Sequence, residues 1–283
     1  MRDLIVITGQ TATGKTRYAL EMAHRVNGEL INADSRQVYT HLDIVTGKDK
    51  KELDESGITC HVFDVVDPKE RFSSHEYVHL ARAAINEIRA RNKTPIIVGG
   101  SYLYIKHLLY GFDVSAPPNP ELRAEIEPLS VLELQQKLGR RPDDINDSDW
   151  NNPRRLIRRI EIASSQHSSA PQENPFHPWG AKLIRDFIGF SHPSRESLVK
   201  AVTVRVEERL KNGAIEEVEQ LLKKGYTAQD PGLLTIGYQQ ISSFLSGAIS
   251  KEEAIQDWKN KEIQYAKRQL TFMKKDPNIS WNP

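Results

Sequence analysis

Apolar residues in the first part of the chain follow two patterns that alternate along the sequence. Short continuous apolar runs, rich in β-branched residues, are typical of strands buried in a parallel sheet, and we predict strands at residues 4–8, 29–33, 61–66 and 95–98. Between these runs, apolar residues recur at helical spacing, which predicts helices at residues 16–26, 75–91 (capped by Ser74) and 101–111. This alternation predicts an α/β fold, a parallel sheet flanked by helices.

The pattern changes near residue 112. A proline-rich connector at residues 116–120 precedes helical segments without a strand-like run, and one of these helices begins at Asn152-Pro153. Further on, we predict a strand at residues 182–190 and helices at residues 194–213, 214–224, 236–247 and 250–274. We therefore expect a core of residues 1–112 and 180–283 that carries an inserted helical domain, residues 113–179.

Composition narrows the protein class. The 283 residues are 38% hydrophobic and 27% charged, which is typical of a soluble globular protein. No apolar run approaches the roughly 18 residues that a membrane-spanning helix needs, so we expect a cytoplasmic protein without a membrane partner.

Cys60 is the single cysteine, which excludes an internal disulfide and a cysteine-based zinc site within the chain, and we expect it to pack as a small core residue. The net charge of +1 conceals basic clusters at residues 154–159, 259–268 and 274–275, which favour anionic partners.

The segment after the first predicted strand matches the phosphate-binding pattern GxxxxGK[ST]. Its glycines allow backbone N–H groups to surround phosphate oxygens, and the following helix directs its positive dipole end at them. Lys15 supplies a mobile positive charge, and the Thr16 hydroxyl is placed to hold Mg²⁺, the expected cofactor. We therefore predict a nucleotide- or diphosphate-binding P-loop formed by Gly9, Gln10, Thr11, Ala12, Thr13, Gly14, Lys15 and Thr16.

Asp34 directly follows the second predicted strand. Because ligands of open α/β sheets bind at the carboxyl ends of the strands, Asp34 is expected beside the phosphate loop, in a position suited to chemistry. Two other roles stay open for it from the sequence, a helix N-cap and an outer-sphere contact to Mg²⁺.

Six motifs in order resemble those of the tRNA dimethylallyltransferase (tRNA isopentenyltransferase) family of bacterial type. The most specific are Asn-Ala-Asp-Ser-Arg-Gln-Val-Tyr at residues 32–39 and Tyr-Ala-Lys-Arg-Gln at residues 265–269. The others are the phosphate loop and the segments at residues 98–104, 152–158 and 236–238. The resemblance implies a P-loop NTPase-like core with an inserted helical domain that binds the tRNA anticodon stem-loop.

The resemblance also implies the reaction. Members of this family transfer a dimethylallyl group from dimethylallyl diphosphate to N6 of adenosine 37, next to the anticodon, and release diphosphate. It assigns Asp34 as the general base, Arg205 with Lys15 and Thr16 to the diphosphate, and a catalytic role to Ser101. Candidate tRNA-binding residues are Asp34, Ser35, Arg36, Gln37, Ser101, Arg123, Arg154, Arg155, Arg158, Gly237, Tyr238, Lys267 and Arg268. From sequence alone, Arg205 and the other cations could equally be solvated residues on helix surfaces. We expect a monomer.

The chain departs from the family pattern at a few positions. Tyr102 replaces a glycine, which would put a bulky ring near the expected channel, and Glu262-Ile263 replaces Thr-Arg, which removes a potential RNA contact.

Three other functions stay open from sequence. A P-loop nucleotide kinase shares the ATP-binding loop but leaves the C-terminal basic helices without a purpose. A prenyltransferase acting on free adenine nucleotides needs no helical insertion. An RNA-binding switch protein is disfavoured because the sequence has no Asn-Lys-x-Asp guanine-reading motif.

Overall fold

The computed structural model describes residues 3–111, 119–143, 145–165 and 181–282. Within this part of the chain, six strands form one parallel sheet in the order β3-β2-β4-β1-β5-β6. The strands are β1 (Leu4–Gly9), β2 (Gly28–Asn32), β3 (Cys60–His61), β4 (Thr94–Gly99), β5 (Ile184–Phe190) and β6 (Ser280–Asn282). The predicted α/β class is confirmed.

Helices follow the strands as the spacing of apolar residues indicates. In the core they are α1 (Lys15–Val26), α2 (Lys50–Ser56), α3 (Ser74–Ala90), α4 (Tyr102–Tyr110), α9 (Arg195–Lys211), α10 (Ala214–Lys223), α11 (Tyr238–Leu245) and α12 (Lys251–Met273). Those between α4 and α9 are α5 (Pro120–Ile126), α6 (Val131–Leu138), α7 (Asp147–Trp150) and α8 (Pro153–Ser165). No helix among the described residues combines the length and apolarity needed to cross a membrane.

The main core lies between the central strands and α1. Ile5, Ile7 and Ile96 of the sheet are fully buried and belong to one cluster with Ala19 and Leu20 of α1. Burying each large aliphatic side chain contributes roughly 1.5–3 kcal/mol, so this contact fixes α1 and the loop before it on the sheet. The carboxyl end of β1 therefore holds the phosphate loop in a defined place.

Two local predictions are wrong in detail, and one strand is not predicted. The strand predicted at residues 61–66 ends at His61, because Val62 and Asp64 adopt left-handed φ angles of 64° and 53° that do not continue a strand. The cap of α3 is Ser73 rather than Ser74, since the Ser73 side chain accepts from Glu76 N in a capping box. The short edge strand β6 carries no pattern that predicts it.

The chain divides into two compact units. The described residues of the first are 3–111 and 181–282, which include the sheet. Those of the second are 119–143 and 145–165, which are helical. The second unit has a core of its own, formed by Ile126, Leu134, Leu156, Ile157 and Ile160.

Candidate functional site

The phosphate loop connects β1 to α1 in a conformation that its glycines make possible. A Cβ atom on Gly9 would lie 2.2 Å from the carbonyl oxygen of Phe190, so only glycine fits there. Gly14 directly precedes α1 and has a φ of 77°. No side chain caps the N-terminus of α1. The first-turn amides of α1 are therefore directed, without a side-chain cap, at the point where an anion would bind.

A cleft of about 1120 Å³ opens above the loop. Its wall brings together residues that are far apart in the sequence. These residues are 11–16 of the loop, Asp34 and Gln37 after β2, Arg205 and Arg209 of α9, and Gln269 of α12. The structure thus places the predicted phosphate loop and the predicted base at one site.

Lys15 lies at the bottom of this cleft. Burial first and the charge of nearby Arg205 second lower the pKa of its ammonium group to about 7, although Asp34 opposes the change. Its Nζ atom donates a hydrogen bond to the carbonyl oxygen of Gln10. A half-buried cation close to another cation is stabilised by a bound anion, so this arrangement favours an anionic ligand.

Two arginines of α9 add positive charge to the cleft. Nη1 of Arg205 donates to Oγ1 of Thr11 over 2.6 Å, and Nη2 of Arg209 donates to the carbonyl oxygen of Thr46 over 3.1 Å. Nε of Arg209 is buried and has no partner among the described residues. A Cβ on Gly47 would lie 2.4 Å from Arg209 Nη2, so glycine lets both guanidinium groups approach the backbone here. Sequence reasoning did not single out Arg209, because nothing local separates it from a surface arginine.

Asp34 is held by a turn at the end of β2. Its Oδ1 atom accepts a hydrogen bond from the backbone N–H of Arg36 at 2.9 Å, and its own N–H donates to Oδ1 of Asn32 at 2.9 Å. Ser101 fixes the next residue, since its Oγ atom accepts from the N–H of Ser35 at 2.8 Å and lies 3.0 Å from the Ser35 hydroxyl oxygen. Ser101 is therefore placed to position the Asp34 turn.

The last helix, α12, forms hydrogen bonds with the phosphate loop. Oε1 of Gln269 accepts from the N–H of Thr11 at 2.9 Å, while its Nε2 donates to the carbonyl oxygen of Gly100 at 2.9 Å. Nε2 of Gln10 donates to the carbonyl oxygen of Ala266 at 3.1 Å. Gln269 thus links the loop to the carboxyl end of β4, a role that the sequence motif alone does not indicate.

The side chains of Arg36 and Gln37 bind different partners. Nη1 of Arg36 donates to Oε1 of Glu262 at 2.8 Å, and its guanidinium carbon lies 3.9 Å from the centre of the Tyr265 ring. Nε2 of Gln37 donates to the carbonyl oxygen of Gly47 at 2.7 Å. Both side chains therefore support the wall of the cleft.

The predicted tRNA-binding cations of the second unit differ in their surroundings. Arg123 forms a bidentate ion pair with Glu161 at 2.7 and 3.0 Å, and Arg158 reaches the same carboxylate at 3.2 Å. Arg155 pairs with Asp149. Arg154 is exposed and has no side-chain partner within the described part of this unit.

In the first unit, Lys267 and Arg268 are exposed on α12 and thus accessible to RNA, but Gly237 and Tyr238 have structural roles. Tyr238 is fully buried and its hydroxyl donates to Oε1 of Glu217 over 2.5 Å. Gly237 has a φ of 96°, and a Cβ there would lie 2.4 Å from Val45 Cγ1. The Tyr238 side chain therefore packs inside the protein and Gly237 allows a close approach of the backbone, and an RNA contact of either residue stays a prediction.

Two further expectations concern single residues. Tyr102 does not line the cleft, since its hydroxyl donates to Oδ2 of Asp276 at 2.8 Å and anchors the ring to the segment after α12. Burial, with a smaller contribution from the nearby Asp54 and Glu29 carboxylates, raises the pKa of the Cys60 thiol to about 11. Such a thiol is protonated at neutral pH, which fits a packing role rather than a nucleophilic one.

The oxygen ligands available in the cleft suit a metal ion that binds together with a substrate. No group of three or more His, Cys, Asp or Glu side chains that could hold a metal occurs in the described ranges. The Thr16 hydroxyl and the Asp34 carboxylate both line the cleft. Mg²⁺ characteristically uses few protein oxygens and completes its shell with phosphate oxygens and water, so these residues fit a diphosphate-bound Mg²⁺.

Comparisons with known proteins point to a single family. Residues 37–276 match the family model described as IPP transferase. A tRNA dimethylallyltransferase of Caldanaerobacter subterraneus subsp. tengcongensis is 37% identical over 99% of this chain and 91% of its own length. The structure of a full-length tRNA isopentenylpyrophosphate transferase of Bacillus halodurans matches with a TM-score of 0.72 and 32% identity over 100% of this chain and 90% of its own. A eukaryotic dimethylallyltransferase acting on tRNA matches with a TM-score of 0.76 and 26% identity, over 99% and 73% of the two chains.

Proposed function

This chain belongs to the IPP transferase family of tRNA-modifying prenyltransferases, and on that premise we propose that it transfers a dimethylallyl group to tRNA. The resemblance identified from the sequence motifs is thereby confirmed. The proposed donor is dimethylallyl diphosphate, and the proposed acceptor is N6 of adenosine 37, next to the anticodon.

One observation carries the proposal. The cation-lined phosphate loop and the Asp34 carboxylate lie in the same cleft, with Arg205 in contact with Thr11 of the loop. A diphosphate bound to the loop would leave its carbon end within a cleft that also contains a base. This combination suits displacement of diphosphate by a nucleophile that must lose a proton.

The reaction follows from these positions. N6 of the adenine attacks C1 of the dimethylallyl group, the C1–O bond breaks, and its electron pair leaves with the diphosphate. Lys15, Arg205 and the first-turn amides of α1 stabilise the negative charge on that leaving group. Asp34 accepts the proton that N6 loses, because the amino group of adenine is a weak nucleophile whose lone pair is delocalised into the ring.

Mg²⁺ is the proposed cofactor, held by the hydroxyl of Thr16 together with the diphosphate oxygens. When bound, it would neutralise part of the charge of the diphosphate. The protein groups act beside it, since Lys15 and Arg205 reach the loop from two different elements.

The proposed partner is the anticodon stem-loop of tRNA. Its reacting base cannot reach Asp34 while stacked in the loop, so it must be flipped out into the cleft. Exposed cations such as Arg154, Lys267 and Arg268 are suited to phosphate contacts, which provide affinity that depends on salt.

The test is an incubation of the purified protein with labelled dimethylallyl diphosphate, Mg²⁺ and either unmodified anticodon stem-loop RNA or free AMP. We expect label on the RNA, at the adenosine 3′ of the anticodon, and none on AMP. Label on AMP alone would assign the protein to the enzymes that prenylate free nucleotides. Consumption of ATP without any prenyl transfer would support a nucleotide kinase instead.

A further inference from the structure

Arg209 places a buried positive charge in the wall of the cleft. The residue is 6% exposed, follows Arg205 by one turn of α9 and lines the cleft together with it. Its Nη2 atom donates to the carbonyl oxygen of Thr46 at 3.1 Å, whereas its buried Nε atom has no partner among the described residues. A buried guanidinium group with an unsatisfied donor is costly to retain, so packing alone does not explain its presence.

Gly47 brings the two arginines of α9 to one place. A Cβ atom at this position would lie 2.4 Å from Nη2 of Arg209 and 2.7 Å from Nη2 of Arg205, so the two guanidinium groups are neighbours. Burial first and the charge of Arg205 second lower the pKa of Arg209 to about 9, so the group stays charged at neutral pH. Two like charges held together in this way favour an anion beside them.

Glu262 of α12 supplies a buried counter-charge. Its side chain is 3% exposed, and its Oε1 atom lies 3.6 Å from Nη1 of Arg209 and 2.8 Å from Nη1 of Arg36. Burial would raise its pKa, but the guanidinium groups of Arg36, Arg209 and Arg205 outweigh burial and hold the pKa below its usual range. One charged carboxylate is thus shared by three guanidinium groups, which leaves positive charge on this side of the cleft.

We propose that the pair of Arg209 and Glu262 sets the affinity of the cleft for diphosphate, which Arg209 increases through its charge and Glu262 limits. A diphosphate on the phosphate loop would lie beside Arg205, which contacts Thr11, and within range of the charge of Arg209 next to it. The inference rests on the proposed function, in which diphosphate is part of the donor and is also the product. A limited affinity suits this ligand, because the product must leave before the next donor binds.

The two members of the pair are expected to change binding in opposite directions. R209M removes a positive charge, so the Kd of inorganic diphosphate should rise about tenfold. E262Q removes a negative charge and keeps the shape of the side chain, so this Kd should fall about threefold or more. A pair that only supports the structure would behave differently, since either substitution breaks the same ion pair and both would weaken binding.

Calorimetric titration of the full chain with inorganic diphosphate, at one pH and one Mg²⁺ concentration, measures these affinities. R209K keeps the charge and should stay within about threefold of the wild-type Kd. R195M removes an exposed arginine of α9 outside the cleft and is the matched control, for which wild-type affinity is expected. Thermal unfolding establishes that each variant is folded. Should R209M not fold, the sign of the change in E262Q decides alone.

The inference is overturned if folded R209M binds diphosphate as tightly as wild type, or if folded E262Q binds it no more tightly than wild type. An R209K protein that binds as weakly as R209M counts against it in the same way, because the charge is still present. Failure of the proposed function gives a different result, since wild type would then bind diphosphate without labelling RNA while the opposite shifts of the two variants persist.

Discussion

Nη1 of Arg205 lies 2.6 Å from Oγ1 of Thr11, although 194 residues separate the two in the sequence. The contact places a cation of α9 directly on the phosphate loop, opposite Lys15. A leaving diphosphate would therefore be met by positive charge from two elements, α1 and α9, which is the arrangement expected for preorganised stabilisation of a leaving group.

R205Q is accordingly expected to lower kcat by roughly 100-fold or more, because one preorganised charge that stabilises the leaving group is lost. Steady-state prenyl transfer to the stem-loop RNA provides the measurement. R195Q, at an exposed position of the same helix outside the cleft, is the matched control and should keep wild-type kinetics. Equal kcat for R205Q and wild type would refute the assignment.

D34N should retain the structure of the site but lose the base. Asparagine keeps the oxygen that accepts from the N–H of Arg36, so the turn stays intact. We expect kcat to fall by about 100-fold or more with an unchanged KM for RNA, measured in single-turnover and steady-state assays. D54N, at an exposed aspartate, is the control. A single-turnover rate near that of wild type would remove Asp34 from the chemistry.

The lowered pKa of Lys15 predicts that diphosphate binding takes up a proton. With a pKa of about 7 in the free protein, Lys15 is charged below that pH and mostly neutral above it. A bound anion raises the pKa, so the affinity for diphosphate is highest below pH 7 and falls as pH rises through and above it. Calorimetry at pH 8 in buffers of different ionisation enthalpy should show more proton uptake by wild type than by K15R. Identical proton uptake by the two proteins would contradict the prediction.

Glu217 is expected to stabilise the loop that carries Gly47. Its carboxylate accepts hydrogen bonds from the N–H groups of Asp43, Ile44 and Val45, at 3.0, 2.7 and 3.1 Å. E217A leaves these donors without their acceptor and should lower the free energy of unfolding by about 2–3 kcal/mol. Chemical denaturation measures this, and hydrogen exchange should become faster at residues 43–47. The control, E219A, removes an exposed carboxylate of the same helix and should change stability by less than about 0.5 kcal/mol.

Arg123 and Arg154 should separate stability from RNA binding. Arg123 is paired with the buried carboxylate of Glu161, so R123Q is expected to destabilise the protein by about 2 kcal/mol. Arg154 is exposed, so R154Q should leave thermal unfolding unchanged, raise the KM for tRNA and reduce the slope of log affinity against log salt by about one. If R154Q binds tRNA as tightly as wild type at physiological salt, Arg154 is not a phosphate contact.

The sheet and the phosphate loop are predictable because local pattern determines them. Buried parallel strands such as β1 and β4 read as continuous apolar runs, and Gly9 and Gly14 occupy positions where other residues do not fit or are strained. The end of β3 is not predictable in this way. Residues 61–66 have the apolar and β-branched content of a strand, but Asn32 Nδ2 donates to the carbonyl oxygen of Val62 at 3.0 Å and Lys48 binds Asp64. These tertiary contacts accompany backbone angles that end the strand.

The site was only partly predictable for the same reason. Asp34 could be located because it follows a strand, and Lys15 because it belongs to a motif. The roles of Arg209, Glu262 and Tyr238 depend on side chains that meet across large sequence separations, as between Glu262 and Arg36, 226 residues apart. Apart from any motif, an arginine that completes an anion site and one that faces solvent look alike in a single sequence. Only the packing of α9 and α12 distinguishes them.

The link between Gln269 and the phosphate loop has a consequence for the order in which the enzyme becomes complete during synthesis. The loop leaves the ribosome well before α12, yet the N–H of Thr11 receives its acceptor from Gln269, and Gln10 receives its acceptor from Ala266. A nascent chain interrupted before these residues would contain the whole GxxxxGK[ST] sequence and still lack the contacts that hold the loop in shape. Such unfinished chains are expected to bind diphosphate poorly, so that substrate capture awaits the translation of α12.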